Sequence, residues 1–224
     1  MNKHVLVIAP HPDDETLGCG GVLLRHKSLG DEIHWLIVTT MAESLGFSKE
    51  SMARRQEEIS RITSSFGFSR VVQLDFPTTR LDELPRGKII AEIGKAFDLI
   101  QPELVYVPYR HDAHTDHAVV FDCALACCKW FRYPSIRRIL AYETLSETEF
   151  GFNPDGKGFQ PQVFVGIESW LEKKIEALRI YAGEMGEFPF PRSEEAVRAL
   201  ASLRGSTAGC LAAEAFMLIK EIEK

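Results

Sequence analysis

The stretch VLVIAPHPDDE, residues 5–15, contains the strongest pattern in the chain. Its uninterrupted apolar run, residues 5–9, predicts a strand buried on both faces, as in the middle of a parallel sheet. Residues 10–15 then supply one imidazole and three carboxylates. Open α/β sheets bind ligands at the carboxyl ends of their strands, and His and Asp are ligand types that suit zinc. The alternative is a polar loop with Asp13 or Asp14 as a helix N-cap, but a cap needs one such residue rather than four.

Strands and helices alternate through the first part of the chain. The patterns predict further strands at 32–39, 70–75 and 104–107, and helices at 16–29, 48–66, 85–100 and about 117–130. Glycines at 18, 20 and 21 are expected to allow the chain after the first strand to pack closely. This alternation predicts an α/β fold with a Rossmann-like, mostly parallel sheet flanked by helices.

Beyond residue 136 the regular alternation ends. The patterns predict extra strands at 138–142 and 162–167, helices at 169–181 and 193–203, a break at 205–210, and a tail at 214–219 that fits either a strand or a helix. No repeat or linker separates the two halves, so we expect a single domain over residues 1–224.

Composition limits the class of protein. The 224 residues have a net charge of −6 and only short basic pairs, which argues against a nucleic-acid partner. No apolar run approaches the ~20 residues that span a bilayer, and the N-terminus leads directly into the first strand, so we expect neither a membrane span nor a signal peptide. The five cysteines are odd in number and lie mostly within apolar patterns, which favours a cytoplasmic location.

A second cluster of ionisable residues follows the strand at 104–107. Three of the seven histidines lie within residues 111–117, in the sequence HDAHTDH. An H-x-x-D pair after one strand and a histidine after another make three protein ligands, which leaves a position open for water, as in catalytic zinc sites. A helix start with Asp116 in its first turn would explain the aspartate but not the three histidines.

Residues 10–15 taken together with 114–117 resemble the paired signature of the PIG-L/LmbE family of zinc-dependent N-acetylglucosaminyl deacetylases. The resemblance extends to further positions: Arg55, Glu58 and Gly67, the segment Asp112 to His117, and the late Arg204-Gly205 and Ala213 to Phe216. It implies an LmbE-like fold and a hydrolase that removes acetyl from an N-acetylated amino sugar.

The resemblance also implies a role for each site residue. The zinc ligands would be His11, Asp14 and His117, although iron(II) suits the same ligands. Asp13 would be the general base that takes a proton from the metal-bound water, and Asp116 would orient a histidine. His114 would stabilise the oxyanion, either as an imidazolium or as a hydrogen-bond donor, and Arg55 would contact sugar hydroxyls.

Two chemical points stay open at this level. A nearby aspartate, Asp112 or Asp116, would favour protonated His114. The leaving amine could receive its proton from His114 or from Asp13.

The substrate is less defined than the chemistry. Many family members carry an acidic residue and a glycine where this chain has Thr78-Thr79. We expect an amino sugar of surface-polysaccharide or glycoconjugate biosynthesis, and a homo-oligomer is compatible with the sequence. The alternatives are a thiol-glycoside intermediate, a zinc amidase acting on another acylated amine, and a non-catalytic metal-containing sugar-binding protein. A nucleotide-binding Rossmann protein is disfavoured because HPDDE replaces the glycine-rich turn.

The segment 143–161 is expected to form a lid on the acceptor side of the site. Tyr142, Glu143, Phe150 and Phe152 would belong to it, with the aromatic rings stacking on a sugar or an aglycone. The alternative, in which the loop aromatics cover a nearby apolar seam, is equally open.

Overall fold

The computed structural model describes residues 2–152 and 158–223. Its strands are β1 (His4–Ala9), β2 (Glu32–Thr40), β3 (Arg70–Pro77), β4 (Leu104–Pro108), β5 (Arg138–Tyr142), β6 (Val163–Gly166) and β7 (Ala213–Glu221). Its α-helices are α1 (Asp14–Ser28), α2 (Lys49–Phe66), α3 (Arg86–Ile100), α4 (Thr115–Ala126), α5 (Leu171–Leu178) and α6 (Glu194–Ala208).

The seven strands of the described chain form one mixed sheet in the order β3-β2-β1-β4-β5-β7-β6. Strands β1 to β5 are parallel, whereas β7 is antiparallel to both β5 and β6. The predicted α/β class, the mostly parallel sheet and the extra C-terminal strands are therefore confirmed. The ambiguous tail is the strand β7 because it pairs on both sides.

Strand β1 is buried on both faces, as its apolar run predicts. Leu6 and Ile8 belong to the core cluster under α3 and α4, while Val5, Val7 and Ala9 belong to the cluster under α1 and α2. Successive side chains of a strand point to opposite faces, so a strand covered by helices on both sides has to be apolar throughout.

The predicted ends of three helices are wrong. Helix α4 ends at Ala126 rather than near 130, because tight turns at its end place Cys127 and Cys128 in the core. Helix α5, which was predicted at 169–181, covers Leu171–Leu178 and is shorter at both ends. Helix α6 continues through Gly205 to Ala208, because the first glycine there with a positive φ is Gly209, at +76°.

The glycines after β1 permit close packing. A Cβ on Gly18 would lie 2.2 Å from the ring of Tyr142, whose hydroxyl donates to the Ile8 carbonyl at 2.9 Å. The start of α1 is thereby held against the middle of the sheet.

The strand order reverses about β1 and β4, which are neighbours in the sheet. Such a switch point opens a crevice at the carboxyl ends of the strands. The loops that leave β1 and β4 both enter it, and they carry the two ionisable clusters. No helix in the described part of the chain is long and apolar enough to cross a membrane.

Candidate active site

The two clusters meet at the switch point. Asp14 Oδ2 lies 3.3 Å from His11 Nδ1 and 3.3 Å from His117 Nε2. Ligand atoms on a tetrahedral zinc with bonds of about 2.0–2.2 Å are themselves about 3.3 Å apart. His11 and His117 therefore each lie at ligand spacing from Asp14, and the ligand atoms of all three residues are within 4.8 Å of one another, so they could share one metal ion.

The second nitrogen of each of these histidines is bonded to a carboxylate. His11 Nε2 lies 3.1 Å from Asp116 Oδ2, and His117 Nδ1 lies 2.7 Å from Asp112 Oδ2. Carboxylates in this position fix the ring orientation of metal-ligating histidines and raise their basicity. The aspartate predicted to orient a histidine, Asp116, thus contacts His11.

A competing set of potential ligands consists of His11, His114 and Asp116. Both oxygens of Asp116, however, accept main-chain N–H groups, from Thr79 at 2.7 Å and from Leu81 at 3.1 Å, whereas Asp14 accepts one such group on Oδ2, from His11 at 2.9 Å. We therefore favour the set that contains Asp14 and His117.

The pKa values of the ligand set fit a cation site. Burial lowers the pKa of His11, but its bonds to Asp116 and Asp14 outweigh burial and raise the pKa to about 9. Burial would raise the pKa of Asp14, yet His117 and His11 hold it well below its usual range. The carboxylates thus attract protons onto the two rings, and a divalent metal would replace those protons on binding.

Asp13 lies next to Asp14 in an unusual backbone conformation. Its φ is +134°, a region that costs of order 1–3 kcal/mol for a residue other than glycine and occurs mainly at functional sites. Its N–H donates to Glu15 Oε2 at 3.0 Å. Burial and the neighbouring Asp14 raise the pKa of Asp13 to about 7, which is the range of a general base at neutral pH.

His114 is the N-cap of α4, and its Nδ1 accepts the N–H of Asp116 at 3.1 Å. The proton of the neutral ring is therefore on Nε2. Burial, followed by the charge of His11, lowers the pKa of His114 to about 4. The charge of Asp116 favours the protonated form, as expected of a nearby aspartate, but burial and the charge of His11 outweigh it, and the ring is neutral.

Arg55 lines a cavity of about 160 Å³ beside the ligand set. Its Nη1 donates to the Pro12 carbonyl at 2.8 Å, its Nε lies 3.4 Å from Glu58, and its Nη2 pairs with Glu184. The cavity walls come from strands β2 and β3, from the loops after β1, β2 and β3, from α2 and from the segment before α6: His11, Pro12, Asp13, Thr39, Thr40, Met41, Arg55, Gln56, Ile59, Gln73, Thr78, Glu184 and Arg192.

Sequence patterns missed the contribution of the segment before α6. Arg192 donates to Asp13 Oδ2 at 2.7 Å, although the two residues are 179 positions apart. Glu184 and Glu147 are close to the same guanidinium. In the sequence this segment is set apart only by the run FPFPR at 188–192, whose prolines indicate a loop but no function.

Two of the four residues expected in the lid do not belong to it. Tyr142 is fully buried against Gly18, and Glu143 forms an ion pair with Arg204, so neither belongs to a lid. Phe150 and Phe152 are exposed and meet edge to face, which does not support the alternative that they cover an apolar seam. Residues 153–157 of the segment lie outside the described residues.

Residues 6–128, more than half of the chain, match the profile of the PIG-L family, described as GlcNAc-PI de-N-acetylase. The chain belongs to the PIG-L family. The resemblance in the two motifs is thereby confirmed, and the matched range contains both of them.

Relatives of this PIG-L protein are named as deacetylases. It is 28% identical to the diacetylchitobiose deacetylase of Thermococcus kodakarensis, over 98% of this chain and 84% of that protein. It is 28% identical to the uncharacterized deacetylase YaiS of Escherichia coli, over 79% of this chain and 89% of that protein. These names confirm the predicted class of enzyme, a deacetylase.

Solved structures agree with the fold. The conserved protein TT1542 from Thermus thermophilus superposes with a TM-score of 0.78 at 25% identity, over 99% of this chain and 97% of that one. The N,N'-diacetylchitobiose deacetylase from Pyrococcus horikoshii has a TM-score of 0.77 at 23% identity, over 97% and 84% of the two chains. The predicted LmbE-like architecture is confirmed.

Proposed function

We propose that this PIG-L protein is a zinc-dependent hydrolase that removes the acetyl group from an N-acetylated amino sugar. One observation carries the proposal: Asp14 lies between two carboxylate-bound histidines, with the buried carboxyl of Asp13 beside it. The named substrates of relatives support the sugar, since one is a diacetylchitobiose deacetylase and another a probable N-acetyl-alpha-D-glucosaminyl L-malate deacetylase.

The donor set suits zinc. His11 and His117 offer neutral nitrogens once their protons are displaced, and Asp14 offers a carboxylate oxygen. When bound, the ion would supply a water whose pKa falls from 15.7 to about 7, and it would polarise the amide carbonyl. Iron(II) suits the same donors, so reconstitution with each metal belongs to the test.

The residues around the ion divide the remaining work. Asp13 would accept the proton of the attacking water, because it adjoins the ligand Asp14 without being needed as a ligand. Asp116 and Asp112 would hold His11 and His117 in their coordinating orientation. Neutral His114 would donate through Nε2–H to the oxygen on which negative charge develops, and losing one such donor typically costs about 10²–10³ in kcat.

The amine that leaves has to receive a proton. We favour Asp13 as its source, because His114 is held neutral by burial whereas Asp13 has just accepted a proton from the water. The same carboxyl would then act first as base and afterwards as acid.

The cavity beside Arg55 would hold the sugar. Its walls are rich in hydroxyl and amide side chains, which form hydrogen bonds with sugar hydroxyls. Arg55 is braced by Pro12 and Glu184, so it would present a fixed edge of its guanidinium to the substrate.

Acetate release tests the proposal. Protein reconstituted with zinc, and separately with iron(II), is given N-acetylglucosamine, its glycosides, diacetylchitobiose and the nucleotide-linked sugar. Acylated amino acids form a separate arm, and Asp13→Asn is the control. We expect turnover on at least one sugar, and a loss of about 10²–10⁴ in Asp13→Asn at unchanged zinc content. Turnover confined to acylated amino acids would indicate a zinc amidase instead, and sugar binding without turnover would indicate a binding protein.

A further inference from the structure

We infer that Arg192 is a positioning residue for the reaction: its guanidinium holds one oxygen of Asp13 so that the other faces the attacking water. The inference rests on the proposed function, in which Asp13 is the general base. It concerns a residue on the segment before α6, outside the 6–128 range that matches the family profile.

The guanidinium of Arg192 is enclosed by partners on several sides. Its Nη1 donates to Asp13 Oδ2 at 2.7 Å, its Nε donates to Ser146 Oγ at 2.6 Å, and its Nη2 lies 3.3 Å from Glu147 Oε1. Nη1 is also 3.6 Å from Glu184 Oε2. Only 13% of the side chain is exposed. A planar, multiply bonded guanidinium has one orientation, so the oxygen that it binds is fixed as well.

The same contacts argue against a role for Arg192 in binding an anionic substrate group. Three carboxylates, Asp13, Glu147 and Glu184, already lie around this guanidinium, and they outnumber the two cations, Arg192 and Arg55, that share Glu184. A further carboxylate or phosphate at this place would meet net negative charge at close range. The remaining role for the guanidinium is to orient the carboxylates around it.

Asp13 is held from its backbone as well as from its side chain. The Glu15 carboxylate accepts the Asp13 N–H at 3.0 Å and is itself bonded to the hydroxyl of Tyr181 at 2.9 Å. The Asp13 carbonyl accepts the N–H groups of Thr16 and Leu17. Because the backbone is fixed in this way, the remaining freedom of Asp13 is rotation of its carboxylate, and that is the freedom that Arg192 removes.

A base held by a third group follows the logic of other hydrolytic sites, in which nucleophile, base and orienting residue form a chain of hydrogen bonds. A misplacement of about 1 Å in such a chain can cost about 10² in rate. Replacing Arg192 by glutamine would leave Asp13 free to rotate without altering His11, Asp14 or His117.

Steady-state kinetics on the zinc enzyme provide the first test. We expect Arg192→Gln to lower kcat about 10- to 100-fold, with KM within about threefold of the wild-type value. Arg192→Lys can still form one charged hydrogen bond, so its kcat should lie between those of the wild type and Arg192→Gln. The matched control is Arg198→Gln, because Arg198 forms an ion pair with Glu172 on the surface, away from the cavity. In the Asp13→Asn background, Arg192→Gln is expected to cause little further loss, because its effect passes through Asp13.

Several results would overturn the inference. An unchanged kcat in both Arg192 variants would do so, as would a raised KM at intact kcat, which would make Arg192 a substrate contact. A full additional loss in the Asp13→Asn background would mean that Arg192 acts independently of Asp13. If Arg192→Gln fails to fold, the kinetic test uses Arg192→Lys alone, because this variant keeps the positive charge.

A crystallographic readout separates this inference from the proposed function. If the wild-type protein releases no acetate from any sugar, the proposed function fails, but crystals of the zinc-loaded wild type and Arg192→Gln still show where the Asp13 carboxylate lies. A carboxylate rotated from its wild-type position in the variant, with zinc and its ligands unmoved, supports the positioning role. An unmoved Asp13 carboxylate refutes it.

Discussion

A buried ion pair holds helix α1, and with it Asp14, in place. Lys174 Nζ donates to the Leu17 carbonyl at 2.7 Å and to Glu214 Oε1 at 2.7 Å. The same Oε1 accepts the Gly21 N–H at 2.8 Å. In a regular helix the Leu17 carbonyl and the Gly21 N–H are partners of each other, so the ion pair contacts both members of one helical hydrogen bond.

We predict that Lys174→Met destabilises the protein strongly. Both charged side chains are at most 7% exposed. Removal of one member of a buried ion pair typically costs about 3–5 kcal/mol, because the other charge is left without compensation. Helix α1 has little intrinsic stability to offset this loss, since each glycine at 18, 20 and 21 costs about 1 kcal/mol relative to alanine.

A double-mutant cycle measured by urea unfolding tests the prediction. Lys174→Met and Glu214→Gln are each expected to lower the free energy of unfolding by about 3 kcal/mol or more, and the double variant by clearly less than the sum. Lys173→Met, an exposed neighbour on α5, serves as the control and should stay within about 0.5 kcal/mol of wild type. A Lys174→Met loss below about 1 kcal/mol, or strict additivity in the cycle, would refute the reasoning.

Three further predictions concern other parts of the chain. Thr79 has a φ of +65°, where a β-branched residue is strained by about 1–2 kcal/mol, so Thr79→Gly should raise the midpoint of thermal unfolding, whereas Thr78→Gly should lower it. Burial lowers the pKa of His34 to about 4. Between pH 6.5 and 4 this side chain is therefore protonated in the unfolded chain but neutral in the folded one. Stability should therefore fall as the pH drops through this window, by up to about 1.4 kcal/mol per pH unit from this residue, and His34→Gln should remove that part of the slope in urea titrations. Asp112→Ala removes the carboxylate bonded to His117 and should weaken zinc binding about 10- to 100-fold in a chelator competition assay.

Each of these predictions has a result that contradicts it. Equal changes in unfolding midpoint for the two threonine variants would show that backbone strain at Thr79 is unimportant. A pH slope in His34→Gln identical to that of wild type would mean that His34 does not resist protonation. The control for the third prediction is Asp122→Ala, which changes a surface aspartate of α4. If Asp112→Ala and Asp122→Ala bind zinc with equal affinity, the carboxylate bonded to His117 does not contribute to zinc binding.

The positive φ of Thr79 gives a physical reason for the glycine that many family members carry in this turn. The N–H of Thr79 donates to Asp116 Oδ2, so the turn has to adopt the left-handed conformation that glycine tolerates best. The chain keeps the turn and its hydrogen bond to Asp116 although the side chain is unfavourable there.

The sequence by itself determined the architecture and the position of the site. A continuous apolar run predicts a doubly covered strand wherever it occurs, and the alternation of periods 2 and 3.6 predicts βαβ units, because both depend only on residues close in the chain. Parallel strands direct their carboxyl ends to one edge, so motifs that follow β1 and β4 were predicted to meet there. The role of each ionisable residue in these motifs was implied by the resemblance to the PIG-L/LmbE family.

Only the tertiary structure decided how those residues are connected. It assigned Asp116 to His11 and Asp112 to His117, it left His114 neutral, and it brought Arg192 to Asp13. It also turned the tail into an antiparallel strand between two others. Hydrogen bonds and desolvation act between groups that are close in space, and when such groups lie up to 179 positions apart no local pattern carries the information.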